Sequence, residues 1–124
     1  KYSLVGHSER RHVFGEPDDM IAKKVALVQS TGMIPVLCVG ETLDDRRWNR
    51  TQEVVQRQIR QGLALADTEK PVWIAYEPVW AIGTGKVAKP EQANKAHQAV
   101  RKSLKDMFGE RVANACRIQY GGSV

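Results

Sequence analysis

Hydrophobic positions along this chain fall into short solid runs separated by longer stretches of helical period. Tyr2 to Val5, Ile34 to Val39 and Val72 to Tyr76 are apolar runs too short for helices, and they predict buried strands. Arg117 to Tyr120 is read as the last of the series. Between the runs the period changes. Glu16 to Thr31 puts Ile21, Val25 and Val28 on one face, carries Pro17, Asp18 and Asp19 in its first turn, and stops at Gly32. A second helix is expected from about Thr51 to Ala66, with Val55, Ile59, Gly62, Leu63 and Ala66 on its stripe. A third opens at Pro90 and Glu91, turns Ala93, Ala96, Val100, Leu104 and Met107 inward, and ends at Gly109. Ser8 and Glu9 look like the capped first turn of a short helix, and Asp44 to Arg50 reads as a polar loop.

Strands alternating with helices argue for a parallel α/β sheet with right-handed crossovers. The strand ends at Gly6, Gly40, Glu77 and Gly121 are spaced by 34, 37 and 44 residues. An eight-fold βα barrel of about 250 residues spends roughly 31 on each unit, so the expectation is an incomplete (β/α)8 barrel, about half of one, as a single domain over residues 1–124. His7, Glu41, Glu77 and the turn at Ser123 all follow carboxyl ends of strands, the face on which such folds do chemistry.

The stretch Val72 to Ala88, VWIAYEPVWAIGTGKVA, organises the rest. Pro78 disfavours the helical region for its predecessor, so Glu77 is expected as the last strand residue, held extended with its carboxylate leaving the sheet. Val79, Trp80, Ala81 and Ile82 then form an unusually apolar connection, while Gly83 and Gly85 let its far end bend close to a ligand. An apolar flap behind a strand-end carboxylate reads as a lid that keeps water from a base.

Composition adds bounds. With 42% hydrophobic and 27% charged residues the chain is ordinary globular material, and no apolar run approaches a membrane span of about 18 residues. A cytosolic chain, neither membrane-bound nor nucleic-acid-binding, is the default expectation. Lys1 in first position and a stop at Val124 directly after a strand are expected of a stretch of a longer protein. The net charge of +5 suits an anionic partner without choosing one, and the Arg46-Arg47-Trp48-Asn49-Arg50 cluster reads as a solvated loop. Cys38 and Cys116 lack metal-ligand spacing and are expected as reduced core residues.

Among candidate motifs, Gly83-Thr84-Gly85-Lys86-Val87-Ala88 matches the dinucleotide fingerprint G-x-G-x-x-A, but the intervening residues Pro78 to Ile82 keep it from following the strand directly, and the next strand ends in Tyr120-Gly121, not an acid. Gly85-Lys86 fails as a phosphate loop because Trp80 and Val87 occupy its flanking positions. His7 follows a strand-end glycine at a helix start, where the dipole favours a neutral ring able to donate a hydrogen bond to a carbonyl. His12 and His97 read as surface or packing residues, and Glu41 reads as an anchor of the loop network in preference to a second catalytic carboxylate, since a second base is not needed. Gly121-Gly122-Ser123 is either a tight turn or an anion cradle of backbone N–H groups.

Taken in order, VGHSERR, PVLCVGE, AYEPVWAIGTGK and QYGGSV resemble the triosephosphate isomerase family over essentially the whole chain, from the fourth strand of its barrel to the turn after the seventh. The resemblance implies interconversion of glyceraldehyde 3-phosphate and dihydroxyacetone phosphate without metal or organic cofactor, in a homodimeric parent. It implies that Glu77 is the base and His7 the electrophile, that Pro78, Val79, Trp80, Ala81, Ile82, Gly83, Thr84, Gly85 and Lys86 form the lid, and that Gly83 and Ser123 donate to the substrate phosphate. Glu9 resembles a supporting carboxylate that orients a cationic partner. The family's Asn-x-Lys segment, its dimerisation loop and its eighth-strand glycine turn have no counterpart here. Loss of one such electrostatic donor costs about a hundredfold to a thousandfold in rate, and an isolated half barrel is expected to associate or stay partly unfolded.

Overall fold

The structure, a computed structural model, describes residues 2–7, 11, 15–78 and 90–120. Along them run β1 (Tyr2–Val5), α1 (Asp18–Ser30), β2 (Ile34–Val39), α2 (Leu43–Arg47), α3 (Thr51–Gly62), β3 (Trp73–Tyr76), α4 (Pro90–Phe108), α5 (Glu110–Ala115) and β4 (Ile118–Tyr120). The strands form one parallel sheet in chain order, β1-β2-β3-β4. Val5 lies opposite Leu37, Leu37 opposite Ile74, Val39 opposite Tyr76, and Tyr76 opposite Tyr120.

Both sheet faces are apolar, which is why the strands read as unbroken runs. One face carries Val5, Leu37, Val39, Ile74 and Tyr76 into a core shared with Ile21 and Val25 of α1, Val55 and Ile59 of α3, Val100 and Leu104 of α4, and Ala113 of α5. The other face holds a smaller cluster of Val36, Cys38 and Ala75 with Trp73 against it. Helices thus cover one side of strands that follow chain order. A doubly wound sheet reverses its order and carries helices on both sides, so this geometry is an arc of a βα barrel.

Several element limits differ from the sequence expectation, each for a local reason. Asp44 to Arg50 is no plain loop, because α2 forms at its start with a reciprocal capping box between Thr42 and Asp45. The second long helix stops at Gly62 instead of Ala66. Gln29 of α1 takes both main-chain groups of Asp67, donating from Nε2 to its carbonyl at 3.0 Å and accepting its N–H at 2.9 Å, so the chain is drawn off the helix toward β3. Gly109, at φ +93°, ends α4 as expected, but six further residues form α5. Arg101 of α4 donates to the carbonyls of Ala113 and Cys116, which closes that short helix. Strand β3 ends at Tyr76, one residue before Glu77, although the Glu77 N–H still donates to Val39 O at 2.7 Å. Cys38 and Cys116 are buried free thiols. Among the described residues no helix is long and apolar enough to cross a membrane.

Candidate active site

Two side chains named from the sequence meet at the carboxyl ends of the strands. His7 leaves β1 just after Gly6, whose φ of +73° turns the chain out of the sheet. Glu77 follows β3. His7 Nε2 lies 3.4 Å from Glu77 Oε2, across the end of the intervening strand β2. The side chains are 34% and 16% exposed, so a small ligand can reach them while most of the carboxylate is shielded from water.

The second carboxylate oxygen, Glu77 Oε1, is buried and has no hydrogen-bond partner among the described residues other than the weak thiol donor of Cys38. A buried carboxylate oxygen without a strong donor is costly, and at a strand end such an atom is a functional marker. The Cys38 thiol faces this carboxylate. Burial, then the negative charge of Glu77 and a weak thiol hydrogen bond to it, push that thiol far above its ordinary range, so Cys38 stays protonated as a weak donor beside the glutamate.

The main chain around both residues is tied down. Arg11 Nε donates to Gly6 O at 2.8 Å, its Nη1 to Asp18 Oδ1 at 2.7 Å, and its Nη2 to Cys38 O at 3.3 Å, so one guanidinium joins the ends of β1 and β2 to the start of α1. Arg11 N also donates to His7 O at 3.1 Å.

Beside Glu77 a second glutamate is placed very differently. Glu41, just past β2, is fully buried. The Tyr76 hydroxyl donates to it, 2.6 Å from Oε1 and 2.9 Å from Oε2, and Arg46 Nη1 lies 3.2 Å from Oε2. Burial first, and the Glu41 charge second, push the Tyr76 hydroxyl far above its usual range. The Arg46 cluster is therefore not merely solvated, since its first arginine neutralises a buried acid. Thr42 to Asp45, an [ST]-x-x-[DE] pattern, was the sequence signal for the helix that brings Arg46 there. Sequence reasoning also missed Tyr76 as a donor and Gln58, which lies fully inside the stripe of α3. His97 packs edge-on against the Tyr76 ring at 6.3 Å, as a packing residue.

Pro78 is buried behind Glu77. The other lid positions, Val79, Trp80, Ala81, Ile82, Gly83, Thr84, Gly85 and Lys86, together with Glu9, His12 and Ser123, lie outside the described residues. Among the described residues no group of His, Cys, Asp and Glu has the arrangement to hold a metal ion.

A profile of the family Triosephosphate isomerase matches residues 1–124. The triosephosphate isomerase of Chloroherpeton thalassium is 54% identical over 126 residues, covering 100% of this chain and 50% of that protein. That of Bdellovibrio bacteriovorus is 54% identical over 123 residues, covering 99% and 49%, and that of Fusobacterium nucleatum 51% over 126, covering 99% and 50%. The chain spans about half the length of the curated relatives it matches. Strand order and one-sided helices are common to every βα barrel, so it is the sequence match that narrows the choice to one lineage: the chain belongs to the triosephosphate isomerase family.

Proposed function

We propose that this chain supplies the base and the electrophile of an isomerase that interconverts glyceraldehyde 3-phosphate and dihydroxyacetone phosphate, and that it corresponds to the fourth through seventh strands of a barrel. Glu77 removes the proton from the carbon next to the substrate carbonyl and, as the acid so formed, returns it to the neighbouring carbon. His7 donates a hydrogen bond to the carbonyl oxygen and stabilises the enediolate between the two steps. Residues 78–86 close over this intermediate, and Gly83 and Ser123 hold the phosphate. The homodimeric, cytoplasmic parent belongs to the same proposal.

The observation that carries it is the 3.4 Å approach of His7 Nε2 to Glu77 Oε2, beside a second carboxylate oxygen that is buried without a hydrogen-bond partner among the described residues other than the weak thiol donor of Cys38. Acid–base groups must lie within reach of a shared reacting fragment, and an unused lone pair is what a base brings to a C–H bond. A second reading, in which the chain folds and associates without turnover, draws on the open sheet. Among the described residues β1 and β4 each pair on one side, and Tyr2 and Leu4 of β1 are exposed.

A chimera in which this chain replaces the matched half of the Chloroherpeton thalassium protein tests the first reading, with the chain alone assayed beside it. Turnover of glyceraldehyde 3-phosphate that falls about a hundredfold to ten-thousandfold in Glu77→Gln supports the assignment. A folded chimera whose activity is unchanged by Glu77→Gln overturns it. Activity in the chimera but not in the chain favours the second reading for the chain by itself.

A further inference from the structure

Gln58 is a polar side chain in the middle of the apolar stripe of α3, flanked by Val54, Val55, Ile59 and Gly62, and it is 2% exposed. A buried amide is retained without loss only where its hydrogen-bonding atoms are used. Its Oε1 accepts the N–H of Gly40 at 2.8 Å. Gly40 stands one residue past β2, and β1 has already ended, its last rung being Val5 opposite Leu37. The helix side chain therefore takes the place of the missing strand neighbour and fixes the end of β2.

That end of β2 carries the main chain of Glu77. A Cβ built on Gly40 would overlap the Glu77 carbonyl oxygen, and would stand 2.5 Å from the Glu77 carbonyl carbon and 3.2 Å from Pro78 N. No side chain fits between the two strand ends. The Glu77 N–H donates to Val39 O at 2.7 Å, so Val39 holds one side of the glutamate peptide and Gly40 abuts the other. The route from α3 to the carboxylate has two links, Gln58 to Gly40 and Gly40 to the Glu77–Pro78 peptide.

We infer that Gln58, acting through the Gly40 amide, is a positioning residue for Glu77: it sets where the base stands relative to His7. The inference rests on the isomerase reading for its kinetic consequences, while its structural content concerns the Glu77 backbone alone. Loss of the Gln58 acceptor frees the end of β2 to drift from the Glu77 peptide, and misplacement of a reacting group by about 1 Å costs on the order of a hundredfold in rate.

Gln58→Met removes the acceptor at similar volume. Gln58→Asn stops one methylene short and keeps the site polar should the methionine variant not fold. Gln58→Glu restores an acceptor at full reach. Nuclear magnetic resonance of the chain itself reads the Gly40 amide and the Glu77 carboxylate carbon, with the Glu41 carboxylate carbon as internal reference. The expected result is loss of hydrogen-exchange protection at Gly40 by about tenfold or more and a moved Glu77 signal with Glu41 unmoved, both reversed in Gln58→Glu. Where the chain or the chimera turns substrate over, kcat falls by about tenfold to a hundredfold with KM changed less than about threefold, and the isotope effect of substrate deuterated at the transferred position rises. A merely structural glutamine would lower the melting temperature and leave the Glu77 signal, kcat and the isotope effect in place, and that result overturns the inference. Absence of turnover in every variant and in the unaltered protein would count against the isomerase reading alone, because the Glu77 signal still decides the role of Gln58.

Discussion

Two glutamates stand at the ends of adjacent strands, and their surroundings could hardly differ more. Glu41, past β2, is fully buried with both oxygens engaged by Tyr76 and one by Arg46. Glu77, past β3, keeps one oxygen 3.4 Å from His7 and buries the other with no hydrogen-bond partner among the described residues other than the weak Cys38 thiol. The same functional group is saturated in one place and left open one strand away. A saturated carboxylate can only hold structure, whereas an open one retains a lone pair for a proton. The two are also coupled through the chain, since Tyr76, the donor to Glu41, is the residue that immediately precedes Glu77.

Substitutions that loosen the Glu41 side test this division. Tyr76→Phe removes the hydroxyl proton shared between the two oxygens of a buried carboxylate and is expected to destabilise the fold by about 1.5–3 kcal/mol, the range for a bond to a charged group, as read by urea unfolding. An unchanged midpoint would show that Glu41 is satisfied without the Tyr76 hydroxyl. Thr42→Ala breaks the capping box of α2 but leaves Arg46 in place, and about 1 kcal/mol is expected in the same measurement. A cost equal to that of Tyr76→Phe would mean that Arg46 is held by the cap and not by Glu41.

The smallest effect concerns pH. Burial, and secondarily the Arg101 guanidinium, hold the His97 ring below its ordinary value of 6.5. The unfolded chain then takes up this proton first as pH falls below about 6.5, so it binds more protons than the folded one and stability declines. The loss continues until the folded ring also protonates, and stability from this source is complete above that window. Melting curves between pH 7 and 5 are expected to shift less steeply in His97→Gln than in the unaltered chain. Equal slopes would exclude His97 as a source of the acid sensitivity.

How much of this was legible in the sequence depends on whether a local rule governs the residue. Strands β1 and β2 have the limits that their apolar runs gave, because parallel strands buried on both faces carry little else. The pairing of His7 with Glu77 was foreshadowed by two residues after strand ends, Gly6 and the Pro78 that follows Glu77. The end of α3 was not legible, since it is decided by Gln29, a residue 38 positions from Asp67. The role of Gln58 was hidden for a related reason: helical periodicity scores hydrophobicity, and a buried glutamine that serves a strand end looks like a polar interruption. The sequence neighbours of Arg46 are polar and point to a solvated loop, whereas its partner is a carboxylate that the turn after β2 brings near.

The division between the two glutamates is the central claim, and one paired measurement tests it most directly. Isomerase turnover and thermal midpoint are compared in Glu77→Gln and Glu41→Gln, both made in the chimera. The account predicts that Glu77→Gln lowers kcat by about a thousandfold while the midpoint stays within a few degrees, and that Glu41→Gln does the reverse, lowering the midpoint with turnover changed less than about tenfold. Equal losses of turnover in the two variants, or a Glu77→Gln protein as active as the unaltered one, would contradict it.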